Sequence, residues 1–323
     1  MAACHRWVDA DPGTEREGGG IAGDCCEGIH RRGSALLTVR RSHRPIEWQV
    51  GELGLSDREH TLVMGVLNVT PDSFSDGGRF LDTDAAIAHG LELDAAGADV
   101  VDVGGESTRP GADTVTVDAE IDRVVPVVAA LVAQGVVVSV DTSKAEVAAA
   151  ALEAGASIIN DVTALSDPAM VGLAVTTGAG LVLMHMLGEP RTMQDDPRYE
   201  DVVEEVAIYL EDAAAAAIEA GVRRESICLD PGVGFGKSLG HNLDLLSLGV
   251  ARLAKTGYPV LVGASRKSFI AGILGPIDPG ERDPASAAAQ VLAVASGASI
   301  IRSHNVVMAL QTVRVADAIV RGL

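Results

Sequence analysis

Short apolar runs in this chain end repeatedly on a residue that can hydrogen-bond or carry charge. The first ends at Asn68. The second runs through Asp102 into Gly104-Gly105. Later runs end at Asp141, at Asn160-Asp161, at His185 and at Asp230. The last two lead into Ser265-Arg266-Lys267 and carry Arg302 and His304. Asp and Asn are poor strand formers. A solvent-facing rim would account for any one of them, but the repetition suggests one shared ligand. Their chemistry divides. Asp141, Asn160 and Asp230 offer acceptors and an amide, which suit the edge of a flat heterocycle with N–H donors and ring nitrogens. Lys267, Arg302 and His304 are cations or can become so, which suits a phosphate or pyrophosphate. The side-chain carbonyl of Asn68 could serve a hard cation such as Mg2+, which commonly joins a few protein ligands to substrate phosphates. The set predicts a polar heterocycle joined to a phosphorylated group.

Two loops are rich in special residues: Asn68-Val-Thr-Pro-Asp-Ser-Phe-Ser-Asp-Gly-Gly78 and Gly104-Gly-Glu-Ser-Thr-Arg-Pro-Gly111. Glycine and proline shape such loops, and lids are often built this way. Phe74 and Arg109 have no core to serve there, which favours a functional reading. Other polar residues read as structural. His185 is expected as a hydrogen-bonded structural histidine, Arg266 as an ion-pair partner and Lys144 as an exposed residue opening a helix. Asp102 is a candidate organiser of the second loop, and Cys228 is core. The acids Glu200, Asp201, Glu204 and Glu205 read as a solvated helix face. Whether Lys237 points to solvent is left open by the sequence.

These residues need elements to hold them. The apolar runs at 61–68, 99–103, 136–141, 157–161, 180–185, 226–230, 259–264 and 299–304 are apolar nearly throughout, as parallel strands buried on both faces should be. Helical spacing separates them. Val117, Ile121, Val124, Val125, Val128, Leu131 and Val132 form one stripe; Leu243, Leu246, Val250 and Leu253 form another. Gly97, Gly135, Gly155 and Gly297 stand just before strands, where a helix would be capped. Eight strand–helix units in this length predict a (β/α)8 TIM barrel, whose active site forms where the strands end. A doubly wound open sheet is disfavoured, because no G-x-G-x-x-G follows the first strand. Residues 1–35 are glycine-rich and aperiodic, and are expected as a flexible tail. The pieces between 36 and 60, including Trp48, suit a hairpin over the barrel bottom, so 36–323 is expected as one catalytic barrel domain.

Composition sets limits. With 323 residues and 47% hydrophobic residues, a large core is expected, and 3% aromatics make it aliphatic. A net charge of -20 argues against nucleic acid as a partner. It does not exclude a small anion, since a few converging cations dominate inside a cleft. The four cysteines show no metal spacing and no disulfide framework. No apolar run is long enough to span a membrane and no signal-peptide pattern opens the chain, so a cytoplasmic location is expected.

The motifs resemble those of one family. Met64-Gly-Val-Leu-Asn-Val-Thr-Pro-Asp-Ser-Phe-Ser-Asp-Gly-Gly78 is similar to the first signature of bacterial dihydropteroate synthases, and Asp102-Val-Gly-Gly-Glu-Ser-Thr-Arg-Pro-Gly111 to the second. Ser139-Val-Asp-Thr-Ser-Lys144, Ile159-Asn-Asp161, Leu183-Met-His185, Asp230-Pro-Gly-Val-Gly-Phe-Gly-Lys237 and Ser265-Arg-Lys267 follow in order, one per strand. The resemblance implies a transferase of folate biosynthesis. It would condense 6-hydroxymethyl-7,8-dihydropterin pyrophosphate with p-aminobenzoate, giving 7,8-dihydropteroate and pyrophosphate. It further implies Mg2+, a homodimer, and sulfonamides as competitors of p-aminobenzoate. By the same resemblance Asp141, Asn160, Asp230 and Lys267 would hold the pterin, with Met184, Phe235 and Gly263 shaping its slot. Arg302 and His304 would bind pyrophosphate, with Asn68 as the Mg2+ contact, and Asp72 and Arg109 would close over it. Phe74, Thr108, Pro110 and Ser268 would line the p-aminobenzoate site. Lys267, Arg302, His304 and Asp141 would carry the catalysis. The last motif departs from the common pattern at Ser303 and Asn305; strand alternation turns Ser303 toward the barrel–helix layer. Two alternatives stand beside this reading: a methyltetrahydrofolate-dependent corrinoid methyltransferase, and a non-catalytic pterin-binding paralogue.

Overall fold

A computed structural model describes residues 45–70, 79–107, 114–189 and 191–322. The expected tail, 1–35, lies outside the described residues. The chain enters through a small antiparallel hairpin, β1 (Glu47–Val50) and β2 (Leu53–Ser56), with Trp48 opposite Leu55. The indole of Trp48 is buried, and its Nε1 donates to the Ser226 carbonyl at 2.9 Å.

Eight parallel strands follow: β3 (Leu62–Asn68), β4 (Val100–Gly104), β5 (Val138–Asp141), β6 (Ile158–Asp161), β7 (Gly180–Met184), β8 (Ile227–Asp230), β9 (Leu261–Val262) and β10 (Ile300–Ser303). They pair in the order β8-β7-β6-β5-β4-β3-β10-β9, and a bridge between Leu229 and Val260 joins the two ends. The result is a (β/α)8 TIM barrel. Each apolar run of the sequence supplies one strand. Only the seventh, expected over 259–264, is much shorter. Its chain breaks from the sheet after Val262 to reach a turn in which Arg266 takes a left-handed φ of 59°.

Helices fill the connections: α1 (Arg79–Ala95), α2 (Val117–Val132), α3 (Ala145–Glu153), α4 (Pro168–Thr177), α5 (Val202–Glu219), α6 (Leu239–Asp244), α7 (Val250–Ala254), α8 (Ser268–Leu274), α9 (Asp283–Ser296) and α10 (Val306–Arg321). The chain after α1, α2, α3 and α9 turns at Gly97, Gly135, Gly155 and Gly297, all with positive φ, as their positions before strands predict. Between α6 and α7 lies a π turn, Leu245–Gly249. This extra residue per turn breaks the second expected stripe. Leu246, Val250 and Leu253 are buried as predicted, but Leu243 is rotated out to solvent.

The core is aliphatic and has two layers. Strand alternation sends Val63, Val101 and Val138 outward against Val124, Val128 and Leu131 of α2 and other helix residues. Leu62, Met64, Val100, Ile158, Val182, Cys228, Leu261 and Ile300 point inward and meet Trp48 and Val50. The hairpin therefore plugs the bottom of the barrel. Gly180 is needed there, because a Cβ would sit 2.5 Å from the Val50 side chain. With the bottom filled by hydrocarbon, only the opposite, C-terminal end of the strands is free for chemistry. No helix among the described residues is long and apolar enough to cross a membrane.

Candidate functional site

The last residues of five strands and the turns that follow them converge on one pocket at the C-terminal end. It is lined by Asp141, Asn160, Val162, Met184, Asp230, Val233, Phe235, Gly263, Lys267 and Arg302. Eight of these are residues the sequence singled out. Val162 and Val233 were not. Val162 carried a signal, since it stands two residues after Asn160 and alternation returns it to the same face.

Charge organises the pocket. Arg302 reaches across it from β10. Its Nε donates to Asp102 Oδ2 at 2.6 Å, and a terminal nitrogen donates to Asp141 Oδ2 at 2.6 Å. Burial works against the guanidinium's charge, but Asp102 and Asp141 more than offset it, so Arg302 is held firmly protonated. Burial pushes the Asp141 carboxyl up to about 7 against the pull of Arg302. Burial likewise raises Asp230 to about 6, although the Gly232 amide donates to its Oδ1 at 2.7 Å and pulls the other way. Lys267 Nζ lies 3.7 Å from the centre of the Phe235 ring. Burial, with Arg302 close by, lowers that ammonium to about 7. Three carboxylates and two cations thus face each other where little water enters. Such a site gives large energies to a ligand that completes their hydrogen bonds.

The wall built by Asp230-Pro-Gly-Val-Gly-Phe-Gly-Lys237 depends on close approach. A Cβ on Gly232 would lie 1.9 Å from the His185 carbonyl oxygen, and this glycine has a φ of +67°. Lys237 is buried, not solvated. Its Nζ donates to His185 Nδ1 at 3.0 Å, to the His185 carbonyl at 3.1 Å and to the Phe235 carbonyl at 2.8 Å. This answers the question the sequence left open, and it fixes the Phe235 backbone behind the ring that faces Lys267. His185 is structural, as expected; burial and the Lys237 charge lower it to about 3, so it accepts as a neutral ring. Gln194 and Asn242 hold the same loop through Gly234, by 2.8 Å and 2.7 Å bonds. Neither carried a sequence signal, because neither ends a strand.

Other single residues divide. Arg266 forms a two-pronged ion pair with Asp283, at 2.6 and 2.8 Å, and is structural as expected. Ser303 faces the helix layer and accepts from Gln290 Nε2, and Asn305 caps α10 through the Met308 amide. The acids 200, 201, 204 and 205 are exposed. Lys144 corrects the expectation of an exposed residue. Its Nζ bonds Glu106 at 2.6 Å and the fully buried Glu120 at 2.5 Å, since a buried carboxylate demands a cation. Asp102 pairs with Arg302 and with Asn160, whose Nδ2 donates to it at 3.0 Å.

His304 and Ser268 do not line the pocket. His304 follows β10, with its Nδ1 3.1 Å from Ser265 Oγ; Ser268 opens α8 and is exposed. Asn68 ends β3, half-buried, in register with Gly104, against which Asp141 packs. Asp72, Phe74, Thr108, Arg109 and Pro110 lie outside the described residues. No group of three or more His, Cys, Asp or Glu side chains that could cage a metal occurs among the described residues. Asn68 offers one neutral oxygen. That donor set fits a Mg2+ held mainly by substrate phosphates and water, the usual habit of this ion, and not a resident structural metal.

The family model described as "Pterin binding enzyme" matches residues 64–304. The dihydropteroate synthase of Escherichia coli (strain K12) is 48% identical over 266 residues, covering 81% of this chain and 93% of that protein. A structure of the Xanthomonas albilineans dihydropteroate synthase with 4-aminobenzoic acid superposes with a TM-score of 0.80 at 44% identity, covering 85% of this chain and 98% of that one. A structure from the same organism in complex with 7,8-dihydropteroate gives a TM-score of 0.76 at 40% identity, covering 84% and 98%.

Proposed function

We infer that this chain, which belongs to the pterin binding enzyme family and within it to the dihydropteroate synthases, is a transferase of folate biosynthesis. It condenses 6-hydroxymethyl-7,8-dihydropterin pyrophosphate with p-aminobenzoate. The observation that carries this reading is the convergence of Asp141, Asn160, Asp230, Lys267 and Arg302 on one slot at the strand ends.

In this reading Asp141 and Asp230 accept from the N–H groups of the pterin, and Asn160 and Lys267 complete its polar edge. Met184 and Phe235 bound its flat face, and Gly263 leaves room beside it. Arg302 and His304 face the pyrophosphate. Fixed charge placed where charge develops is the largest common source of catalysis. Here the C–O bond to pyrophosphate breaks, and electron density leaves with the phosphate oxygens. The pterin methylene becomes electron-poor while the nearby carboxylates favour it. The arylamine nitrogen forms the new C–N bond with its lone pair and then loses a proton. Little deprotonation is needed beforehand, so positioning matters most. Asp72, Phe74, Thr108, Arg109, Pro110 and Ser268 are proposed to position p-aminobenzoate and cover the departing group.

Asn68 is proposed as the protein contact of a Mg2+ that accompanies the pyrophosphate, neutralising its charge when bound. Residues 36–323 are proposed as the catalytic domain, cytoplasmic in location and paired as a homodimer. Exposed aliphatic side chains on α8, α9 and α10, among them Ile273, Leu274, Leu292, Val315 and Ile319, support the last point.

The test is pyrophosphate release by the purified protein given dihydropterin pyrophosphate and Mg2+, with and without p-aminobenzoate. Release coupled to dihydropteroate formation is expected, with sulfonamides competing against p-aminobenzoate. Tight pterin binding without product would instead identify a non-catalytic paralogue. Methyl transfer from methyltetrahydrofolate to a corrinoid protein would identify the methyltransferase.

A further inference from the structure

Asp102 sits on β4, fully buried, and is not among the residues that line the pocket. A carboxylate so far from water is costly unless its charge is met. Both groups that meet it belong to the wall. Arg302 Nε donates to Oδ2 at 2.6 Å, and Asn160 Nδ2 donates to the same oxygen at 3.0 Å. Its other oxygen, Oδ1, is buried without a partner among the described residues. All of the carboxylate's directed bonding is therefore spent on turning two pocket residues.

The consequence for Asn160 is one of polarity. An amide can present its oxygen or its nitrogen, and the two orientations have nearly the same shape. With Nδ2 committed to a carboxylate, a flip would set the amide oxygen against Asp102 Oδ2, oxygen against oxygen. Asn160 Oδ1 is accordingly left as a buried acceptor without a partner among the described residues, on a residue that lines the slot. For Arg302, Asp102 holds Nε while Asp141 holds a terminal nitrogen. These two anchors fix the plane of the guanidinium.

We propose that Asp102 is a positioning residue for the pterin substrate: it fixes Asn160 with its carbonyl oxygen turned to the ligand and sets the plane of Arg302, touching no substrate itself. This rests on the pterin reading above. It distinguishes the acceptor from the charge, because one oxygen makes both bonds. An asparagine at this position offers that same oxygen; a leucine fills similar space and offers nothing.

The experiment compares Asp102→Leu, Asp102→Asn and the wild type in steady-state turnover, with thermal unfolding measured alongside. Asp102→Leu is expected to raise the KM for dihydropterin pyrophosphate about tenfold or more, the scale of lost buried hydrogen bonds. The KM for p-aminobenzoate should stay within about twofold of wild type, as neither Asn160 nor Arg302 is among the residues proposed to position it. Asp102→Asn should restore the pterin KM to within about threefold. If the leucine variant does not fold, Asp102→Ser replaces it with the same expectation, since the short hydroxyl cannot reach both partners. Unchanged pterin KM in the acceptor-less variant overturns the proposal. So does an equal rise in both KM values, or an asparagine variant as impaired as leucine, which would mean that charge, not the acceptor, is what counts. Should the wild type form no dihydropteroate, the reading of function fails separately. Calorimetric binding of dihydropterin pyrophosphate to the same variants then tests the positioning role without turnover.

Discussion

Asp141 stands between opposed pulls. Burial lifts its carboxyl to about 7, Arg302 draws it back, and Asp102 pushes it up again. A group tuned to that range changes its charge under ordinary conditions. If the pterin donates N–H groups to it, the ionised form is the better acceptor. Protonation as pH falls through about 7, and of Asp230 through about 6, must then weaken binding. The kcat/KM for dihydropterin pyrophosphate is expected to fall on the acid side of neutrality. Asp141→Asn should raise that KM about tenfold and remove the upper part of the acid limb, leaving the part near 6 that belongs to Asp230. A pH–rate profile of both proteins checks this; an unchanged pterin affinity in the variant would remove Asp141 from the site. At this scale the sequence pointed to Asp141, Asn160, Asp230 and Arg302 because the barrel sends strand ends to one rim, whereas Asn68 and His304 share that rim without lining the slot. It read poorly for Lys144, which looked exposed, and it left Lys237 open, because Glu106, Glu120 and His185, which meet these two ammonium groups, come from distant parts of the chain.

Elements position the residues, and the least conspicuous of them is the hairpin β1–β2. Trp48 closes the barrel floor and bonds the Ser226 carbonyl just before β8, the strand that ends at Asp230. Trp48→Ala should cost about 3–5 kcal/mol of stability, as large aromatic truncations in cores do. It should leave the KM values of the folded fraction near wild type. Urea unfolding and turnover on one preparation separate the two effects, and a shifted pterin KM would mean that the floor reaches the slot. Helix ends were legible through glycine, since a left-handed turn before a strand excludes most other residues. The π turn after α6 was not legible. One extra residue leaves composition and spacing almost unaltered, yet it turns Leu243 out to solvent.

The molecule as a whole carries a net charge of -20, yet its slot gathers Lys267 and Arg302. Local cations in a dry cleft outweigh a distant field screened by salt. The rhythm of eight apolar runs made the barrel legible, because only buried parallel strands need residues apolar on both faces. The proposed partner face was not legible, since aliphatic residues exposed on an outer helix look like core in the sequence. Ile319→Lys on α10 is expected to turn a dimer into a monomer in sedimentation, weakening association about a hundredfold. A dimer that survives it uses another face. The ring of strands has one narrow join. β8 and β9 meet through the single Leu229–Val260 bridge, and β9 itself has two residues. Backbone amides should exchange with solvent most readily there, as the stretch with the fewest ladder bonds to break. Asp230 ends one side of that join and Lys267 follows the other. A ligand gripping both acts as a clasp, so occupancy of the slot and the breathing of the barrel wall become one equilibrium.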